Sequence, residues 1–402
     1  METEIGDVPL RPQAPMPTQP RSLVPVTCSF IIGKLLHQES VSSHPPGLLL
    51  ASTTRIASGA DAIMLPFTRH SLIPPPNSFL YRGLAAVGAI YTTRLLFHLS
   101  SFAYLQYLRP SRLHSYTKAP DGNPAWALIT GSSDGLGLGF ATELLAGGFN
   151  VILHGRNLAK LERVRASLLA SYPAQQIEII SLDAGSDADE QTKFSALSSR
   201  LADKHLTILV NNVGGHAGPG PLCSPHASRL PGHDRNAINV NICFALEITR
   251  VVLPFLTGHG QPACVLNVGS ASGRLPSPYI AVAGATKAFM ESWSKSLAAE
   301  MTAEGHDQID VRCELVGMCS TGGAKRPVTW LVPDARTYAK KSLSLVGAER
   351  RVVWGYWPHA LQFAGIFPLP LWIKERAVTK VVREQIMAED QASRQEVAEA
   401  HK

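Results

Sequence analysis

The chain has few charged residues, and no run of five or more lysines or arginines occurs in it. Asp, Glu, Lys and Arg make up 17 % of the 402 residues, while apolar residues make up 45 %. Nucleic-acid binding normally requires a concentrated basic patch, so no nucleic-acid partner is predicted. The diffuse net charge of +6 instead favours an anionic membrane face or an anionic ligand.

Cysteine is also scarce, and none of the six cysteines forms a CxxC pair. This spacing excludes the common zinc and redox motifs and indicates reduced, buried thiols in a protein that faces the cytosol. Cys313 and Cys319 are near each other in the sequence, but no second pair accompanies them. No metal site is therefore predicted.

A long uninterrupted apolar run is missing from the first part of the chain. Residues 1–78 are rich in proline and serine, do not begin as a signal peptide does, and are expected to be disordered. Residues 79–110 are mostly apolar but contain Arg94 and His98, and we expect them to anchor the chain in a membrane, mainly through 83–108. A second apolar segment, 352–373, has interfacial tryptophans but also prolines. For both segments a packed core element or a lid over an apolar pocket is the alternative.

Short apolar runs alternate with helical patterns from about residue 120 to 330. Examples are "WALITG", "NVILHG", "IEIISLD", "LTILVNN", "CVLNVGS" and "IDVRCELVG". This alternation predicts an α/β domain with a doubly wound parallel sheet, whose ligands bind at the carboxyl ends of the strands. Residues 331–388 are expected to form a substrate lid or membrane-associated segment, and 389–402 a polar tail.

A glycine-rich stretch, "TGSSDGLG", follows the first predicted strand and opens a helix. Turns without side chains let the backbone approach a pyrophosphate, and the helix N-terminus provides amide donors. The position of the motif at a strand-to-helix junction predicts nucleotide binding. The candidate residues are Gly131, Ser132, Ser133, Gly135, Leu136 and Gly137, with the two serine hydroxyls as additional donors.

The end of the second strand indicates which nucleotide is bound. A site for NAD has an acidic residue there, whereas "LHGRNLAKL" has Arg156 and no acid. An arginine pairs with a 2′-phosphate, so NADP(H) is predicted; a solvated arginine at a helix start is the alternative. Asp183 and Asn211 end the third and fourth strands and are expected to face the adenine and its ribose.

Together these motifs resemble those of the short-chain dehydrogenase/reductases, whose fold is Rossmann-like. TGxxxGxG is present at 130–137, and the family's NNAG reads "NNVG" at 211–214. The resemblance implies that Asn241, Ser270 and Lys287 are catalytic residues and that Thr321 lies beside the nicotinamide. In the family, a tyrosine donates a proton to the forming alkoxide, and a lysine one helical turn later lowers its pKa.

Three stretches resemble the 17β-hydroxysteroid dehydrogenase and very-long-chain 3-ketoacyl-CoA reductase branch. They are the segment around the first strand, "VVLPFL", and the late "ARTYAKKSLSLVGAERRVVWGYWPHALQ". With these segments the resemblance covers about 104–375. It implies a membrane-anchored NADPH reductase of the endoplasmic reticulum, with its catalytic domain in the cytosol and a lipid-like keto or hydroxy substrate of the 3-ketoacyl or steroid type. A homodimer is left open.

One position departs from the family. Counting four residues back from Lys287, or thirteen on from Ser270, leads to Ala283 where the tyrosine should be. Tyr279 could supply the proton only if its loop folded back, and a packing role is the favoured interpretation. Water or a loop histidine (His216, His226 or His233) could supply it instead. Otherwise the chain is a catalytically impaired NADP(H)-binding scaffold.

Overall fold

The structure is a computed structural model that describes residues 78–186, 190–215, 224–322 and 326–400. Residues 1–77 of the predicted extension lie outside this range. Seven strands form one sheet: β1 Trp126–Ile129, β2 Asn150–Gly155, β3 Ile177–Ser181, β4 Leu206–Asn211, β5 Ala263–Val268, β6 Ile309–Leu315 and β7 Val352–Trp354. The α-helices are α1 Phe79–Ala103, α2 Gly135–Ala146, α3 Leu158–Ser171, α4 Glu190–Leu201, α5 His233–Ile238, α6 Phe244–Gly258, α7 Ala281–Ala303, α8 Ala335–Ser344, α9 Trp357–Ala364 and α10 Leu371–Ala400.

All pairings in the sheet are parallel, in the order β3-β2-β1-β4-β5-β6-β7. Strands β1, β2, β4, β5 and β6 are buried along their whole length, which is why they read as nearly continuous apolar runs. Helices α2, α3 and α8 cover one face, and α4, α6 and α7 cover the other. The predicted doubly wound fold is confirmed, and the strand order reverses between β1 and β4, where such folds bind ligands.

Side-chain caps start the helices that follow β1 and β2. The carboxylate of Asp134 accepts a hydrogen bond from the Gly135 amide, and Asn157 Oδ1 accepts one from the Lys160 amide. These caps satisfy amide groups that a helix start leaves unpaired. The two loops lie at the same edge of the sheet because β1 and β2 are parallel neighbours.

A buried ion pair lies on β6 against α8. Arg312 donates to Glu314 Oε1 at 2.6 Å, and Tyr338 and Ser342 of α8 donate to Glu314 Oε2. Both charged side chains are almost fully buried. Because a buried carboxylate without partners would be strongly unfavourable, this network fixes α8 against the sheet edge.

The first apolar segment forms α1, a 25-residue helix with no buried residue. It contains Arg82 and Arg94 and is not among the helices apolar enough to cross a membrane. In the described part of the chain one stretch has the length and composition of a span, His233–Gly258, but it is 44 % buried and covers the sheet as a core element.

The second apolar segment does not form one helix. Residues 352–373 divide into β7, α9 and the start of α10, as its prolines predicted. Helix α10 continues to Ala400, through most of the stretch predicted to be a polar tail.

Candidate active site

The glycine-rich loop between β1 and α2 has the shape that a dinucleotide requires. Gly131 and Gly135 have positive φ angles of 66° and 54°. A Cβ at Gly137 would lie 2.2 Å from the Gly131 carbonyl oxygen, so only glycine fits there. The loop therefore presents bare backbone at the N-terminus of α2, as the sequence predicted, with Leu136 buried behind it.

Asn212, just after β4, and Thr130, just after β1, fix this loop. Asn212 Nδ2 donates to the carbonyl oxygens of Thr130 and Gly131 at 2.9 and 3.2 Å. The Thr130 hydroxyl accepts from the backbone amides of Asn212 and Val213. Sequence reasoning matched the NNVG motif but did not assign Asn212 this role, although its place as the second asparagine of the motif was a usable signal.

The hydroxyl of Ser132 faces the interior, which corrects its prediction as a cofactor donor. It accepts from the His154 amide at 2.9 Å and donates to the His154 carbonyl at 3.3 Å. Because these bonds join the end of β1 to β2, Ser132 holds the loop in place without facing a ligand. Ser133 is partly exposed and stays a candidate donor.

The ring of His154 lies directly beneath the loop. Its Nδ1 is 3.4 Å from the Gly131 amide, and its ring stacks on Phe244 with centroids 4.9 Å apart. Burial lowers the pKa of His154 to about 4, so the ring is neutral and Nδ1 can accept a hydrogen bond. No pattern in the sequence indicates this contact.

Arg156 follows the last residue of β2 and is exposed. Within the described part of the chain its guanidinium forms no ion pair or hydrogen bond, whereas Lys160 pairs with Asp134 at 2.9 Å. No acidic residue occupies the end of β2. Arg156 is therefore an exposed cation beside the end of β2, and its contact with a 2′-phosphate stays a prediction.

The two residues predicted to meet the adenosine differ in exposure: Asp183 stays a prediction, and the side-chain role of Asn211 is corrected. Asp183 is exposed after β3 and caps its own turn by accepting from the Gly185 amide. The Asn211 side chain is buried and donates to Asn267 Oδ1 at 2.8 Å and to Thr249 Oγ1 at 2.9 Å. Successive strand residues point to opposite faces, so Asn211 faces the helix layer and cannot present its amide to a ribose.

Asn241 and Lys287 meet at Gly214, just after β4. A Cβ on Gly214 would lie 3.0 Å from Asn241 Oδ1 and 3.2 Å from Lys287 Nζ. Asn241 lies in a π-helical turn, Asn239–Cys243, and bonds both backbone groups of Gly215. Lys287 Nζ donates to the Val268 carbonyl at 3.0 Å. A π-turn is frequent at functional sites, and here it aims Asn241 at the end of the sheet.

Ser270 lies two residues beyond Val268, at the carboxyl end of β5. Its Oγ accepts from the Ser272 amide at 3.2 Å and lies 3.1 Å from the Ser272 hydroxyl. Ser270, Lys287 and Asn241 are thus brought to one end of the sheet, as the family resemblance implied. Ser272 is an additional polar residue of the site that sequence reasoning did not identify.

Tyr279 engages a side chain of α10 through its hydroxyl. Its hydroxyl accepts from Arg383 Nε of α10 at 3.1 Å, and its ring packs on the apolar cluster shared by α7, α9 and α10. Its carbonyl accepts from Arg229 Nη2 and from the Ser224 amide. The residue has a positive φ of 66°, which costs about 1–3 kcal/mol and is held by these contacts. The packing interpretation is the one this geometry supports.

Ala283 lies on α7 one turn before Lys287, so the two share a helix face. Its methyl packs on the same apolar cluster. The side chain at position 283, where the spacing predicts the family's tyrosine, therefore has no group that can donate a proton.

The described loop histidines lie in a charged cluster around Asp234. His226 is 3.3 Å and Arg229 2.5 Å from its carboxylate, and buried His233 lies 3.5 Å from it. Burial raises the pKa of Asp234, but hydrogen bonds from Arg229 and its charge outweigh burial and leave the pKa lowered. His216 lies outside the described residues.

Among the described residues, no group of three or more His, Cys, Asp or Glu side chains could hold a metal ion. Cys313 and Cys319 are buried, and burial raises the pKa of Cys313 to about 12. A thiol with that pKa is protonated and inert near neutral pH.

Comparison with known proteins assigns the chain to a family. The family profile described as short chain dehydrogenase matches residues 125–331, about half of the chain. The chain belongs to the short-chain dehydrogenase family. A very-long-chain 3-oxoacyl-CoA reductase from Pyricularia oryzae is 32 % identical over 285 residues, which are 69 % of this chain and 82 % of that protein. Its namesake from Eremothecium gossypii is 33 % identical over 287 residues, 68 % of this chain and 78 % of that protein. The resemblance to this branch is confirmed.

Solved structures agree on the fold. A short chain dehydrogenase from Pseudomonas syringae superposes with a TM-score of 0.52 at 24 % identity, covering 61 % of this chain and 97 % of that one. A 7β-hydroxysteroid dehydrogenase gives a TM-score of 0.52 at 18 % identity, covering 65 % and 98 %. At such identities the agreement concerns the fold alone.

A short-chain dehydrogenase fold binds a nicotinamide dinucleotide, and the residues present here fit one. The cradle at Gly131 and Gly137 has no room for a side chain, and the space beside Gly214 is bounded by Asn241 and Lys287. The phosphates would rest on the loop amides, and Lys287 would hold the nicotinamide ribose, as in the family.

Proposed function

We propose that this chain is an NADP(H)-dependent oxidoreductase that reduces a keto group on a long-chain, lipid-like substrate of the 3-oxoacyl type. The observation that carries the proposal is the convergence of Lys287, Asn241 and Ser270 at the carboxyl end of the sheet, beside an open glycine loop. The substrate class is suggested by the relatives named very-long-chain 3-oxoacyl-CoA reductase.

The preference for NADP(H) rests on charge at the end of β2. Arg156 is exposed and has no described acidic partner there, and Lys160 adds a second cation nearby. A 2′-phosphate would gain charge-assisted hydrogen bonds from this arginine. Bound there, the cofactor would supply a hydride.

The proton would come from water because Ala283 has no donor and the Tyr279 hydroxyl is engaged by Arg383. Ser270 would hydrogen-bond the substrate oxygen, and the Lys287 ammonium would stabilise negative charge that develops near it. Loss of a positioned general acid slows a reaction by roughly 10²–10⁴-fold. We therefore expect turnover that is slow but real.

A second candidate function is that of a cofactor-binding scaffold with no redox turnover. It is favoured by the same two residues: a methyl group at position 283, and a tyrosine whose hydroxyl is committed to α10. Both candidates predict cofactor binding, so only turnover separates them.

We further propose that α1 attaches the chain to a membrane, at the endoplasmic reticulum, with the catalytic domain in the cytosol. Its apolar side chains are exposed along its length, and none of its residues packs into the domain core. Such a surface is unfavourable in water and is stabilised in lipid.

The deciding experiment measures NADPH oxidation by the full chain with 3-oxoacyl thioesters of increasing chain length. We expect slow oxidation that Ser270→Ala abolishes. Ser296→Ala, an exposed serine on α7, is the matched control and should change nothing. Cofactor binding without any rate above that of Ser270→Ala would establish the scaffold instead.

A further inference from the structure

Five apolar or aromatic residues outside α1 lie on the domain surface, four of them exposed and the fifth, Trp357, half-buried. We call these five residues the aromatic patch. Val328 and Trp330 come from the turn before α8, Trp357 and Leu361 from α9, and Tyr107 from the π-helical turn after α1. Trp330 is 60 % exposed, Leu361 57 % and Tyr107 61 %. Such large side chains, exposed next to one another, indicate a contact surface.

Ring contacts join the three aromatic members of the patch. The Trp357 ring lies 6.0 Å from that of Tyr107 and 6.4 Å from that of Trp330. Trp357 and Leu361 are four residues apart on α9 and so share a helix face. Through Tyr107 the patch is continuous with the apolar surface of α1.

The patch is held rigidly. On the buried side of α9, His359 Nδ1 accepts from the Gly317 amide, and Nε2 bonds the Met318 carbonyl. Tyr356 donates its hydroxyl to the Trp330 carbonyl at 3.0 Å. These bonds tie the patch to the loop after β6, whose Thr321 packs on Gly135 of the cofactor loop.

Positive charge flanks the patch where α1 meets the domain. Arg350 Nη2 donates to Ser101 Oγ in the last turn of α1 at 2.6 Å. Arg109 follows Tyr107 by two residues, and exposed Arg112 lies close behind it, paired with Glu349. Aromatic rings next to arginines are the composition that the headgroup region of an anionic bilayer favours.

We propose that the aromatic patch is a second membrane contact, lying in the headgroup region of the bilayer that α1 enters. The inference rests on the proposed membrane attachment of α1 and extends it. Two contacts fix the tilt of the domain, which a single helix would not do. The loop after β6 then lies next to the lipid surface, so a long acyl substrate reaches the site from the bilayer.

The test uses the full chain in vesicles of phosphatidylcholine and phosphatidylserine that contain brominated phosphatidylcholine, which quenches nearby tryptophan. We expect quenching that the double variant Trp330→Phe, Trp357→Phe largely loses. Trp293→Phe on α7 should retain it. A double variant that is quenched as strongly as the natural chain would overturn the proposal.

A label gives an independent measurement. An environment-sensitive dye on Leu361→Cys should shift to shorter wavelength when vesicles are added, whereas the dye on Leu158→Cys should not, although Leu158 of α3 is similarly exposed at 53 %. Flotation with the vesicles tests α1 separately. If the chain floats but gives neither signal, the proposal for the patch is overturned and the proposal for α1 stands. If the chain does not float, both proposals are overturned. A dye shift in detergent, together with tryptophan fluorescence that the brominated lipid does not quench, would instead show that a second copy of the chain covers the patch.

Discussion

At the scale of single residues, the expected activity depends on one methyl group, that of Ala283. Ala283 lies a helical turn before Lys287, at the position where the family's spacing predicts a tyrosine. Its surroundings are apolar, because residues of α10 belong to the cluster against which it packs. Position 283 is therefore part of an apolar wall, and a phenol introduced there would have to displace part of that wall.

Ala283→Tyr should raise the rate of NADPH-dependent ketone reduction by roughly 10²–10⁴-fold, because it returns a general acid beside Lys287. The measurement is the turnover rate at saturating NADPH. Ala285→Tyr, which adds a phenol at an exposed position of the same helix, serves as the control. An unchanged rate with NADPH still bound would show that the wall next to position 283 excludes the phenol.

Tyr279→Phe removes the hydroxyl that Arg383 donates to. If Tyr279 is a packing residue, the turnover rate should stay nearly the same, and the free energy of unfolding should fall by about 1 kcal/mol, the usual value of one hydrogen bond. A loss of turnover by about a hundredfold or more would instead identify Tyr279 as the acid. Arg383→Met should reproduce the stability loss, since it removes the same bond.

At the scale of elements, the cofactor site is an assembly of loops at one edge of the sheet. The glycine loop is held by Asn212 from β4, by Ser132 against β2 and by Thr321 from the loop after β6. Each contact comes from a different strand end, so the loop's shape depends on the sheet being complete.

Gly137→Ala should abolish NADPH binding, because the added methyl would lie 2.2 Å from the Gly131 carbonyl and push the loop out of shape. Binding is measured by the fluorescence of NADPH. Gly258→Ala is the matched control, since a Cβ there meets nothing within 4 Å. Normal affinity in Gly137→Ala would contradict the assignment of the loop as the cofactor cradle.

Arg156→Glu should weaken NADPH binding by at least about tenfold and leave NADH binding equal or improved, because it exchanges a partner of the 2′-phosphate for a partner of the 2′-hydroxyl. Comparing dissociation constants for the two nucleotides tests this. Arg163→Glu on α3 is the control, because it changes the net charge by the same amount without facing the end of β2. A similar effect from both variants would mean that only net charge matters.

At the scale of the whole molecule, two buried neutral histidines make folding pH-dependent. Burial lowers the pKa of His154 and of His359 to about 4. In the unfolded chain both titrate near 6.5, so the unfolded state binds more protons between about pH 6.5 and 4. Stability is therefore complete above about pH 6.5 and decreases as pH falls toward 4, by about 3 kcal/mol for each histidine.

Urea unfolding at a series of pH values measures this. His359→Gln should flatten the pH dependence by roughly half, whatever it does to stability at neutral pH, because one of the two titrating rings is removed. His114→Gln, at an exposed position, should leave the slope as it is. A natural chain equally stable near pH 7 and near pH 5 would show that neither ring is held neutral.

The sequence by itself determined the fold, and it predicted the cofactor role of the glycine loop and the assignment of Lys287 and Ala283 to the family's lysine and tyrosine positions. These follow from local pattern: strand and helix periodicity, a motif at a strand-to-helix junction, and a four-residue helical spacing. The tertiary structure decided which way side chains face and what they touch. It turned Asn211 and Ser132 inward, because strand alternation and the packing of β2 against β1 set their direction. In the folded chain the Tyr279 hydroxyl accepts a hydrogen bond from Arg383, 104 residues away, and the Tyr107 ring contacts the Trp357 ring. Contacts between residues so distant along the chain depend on how the elements pack, which local pattern does not specify.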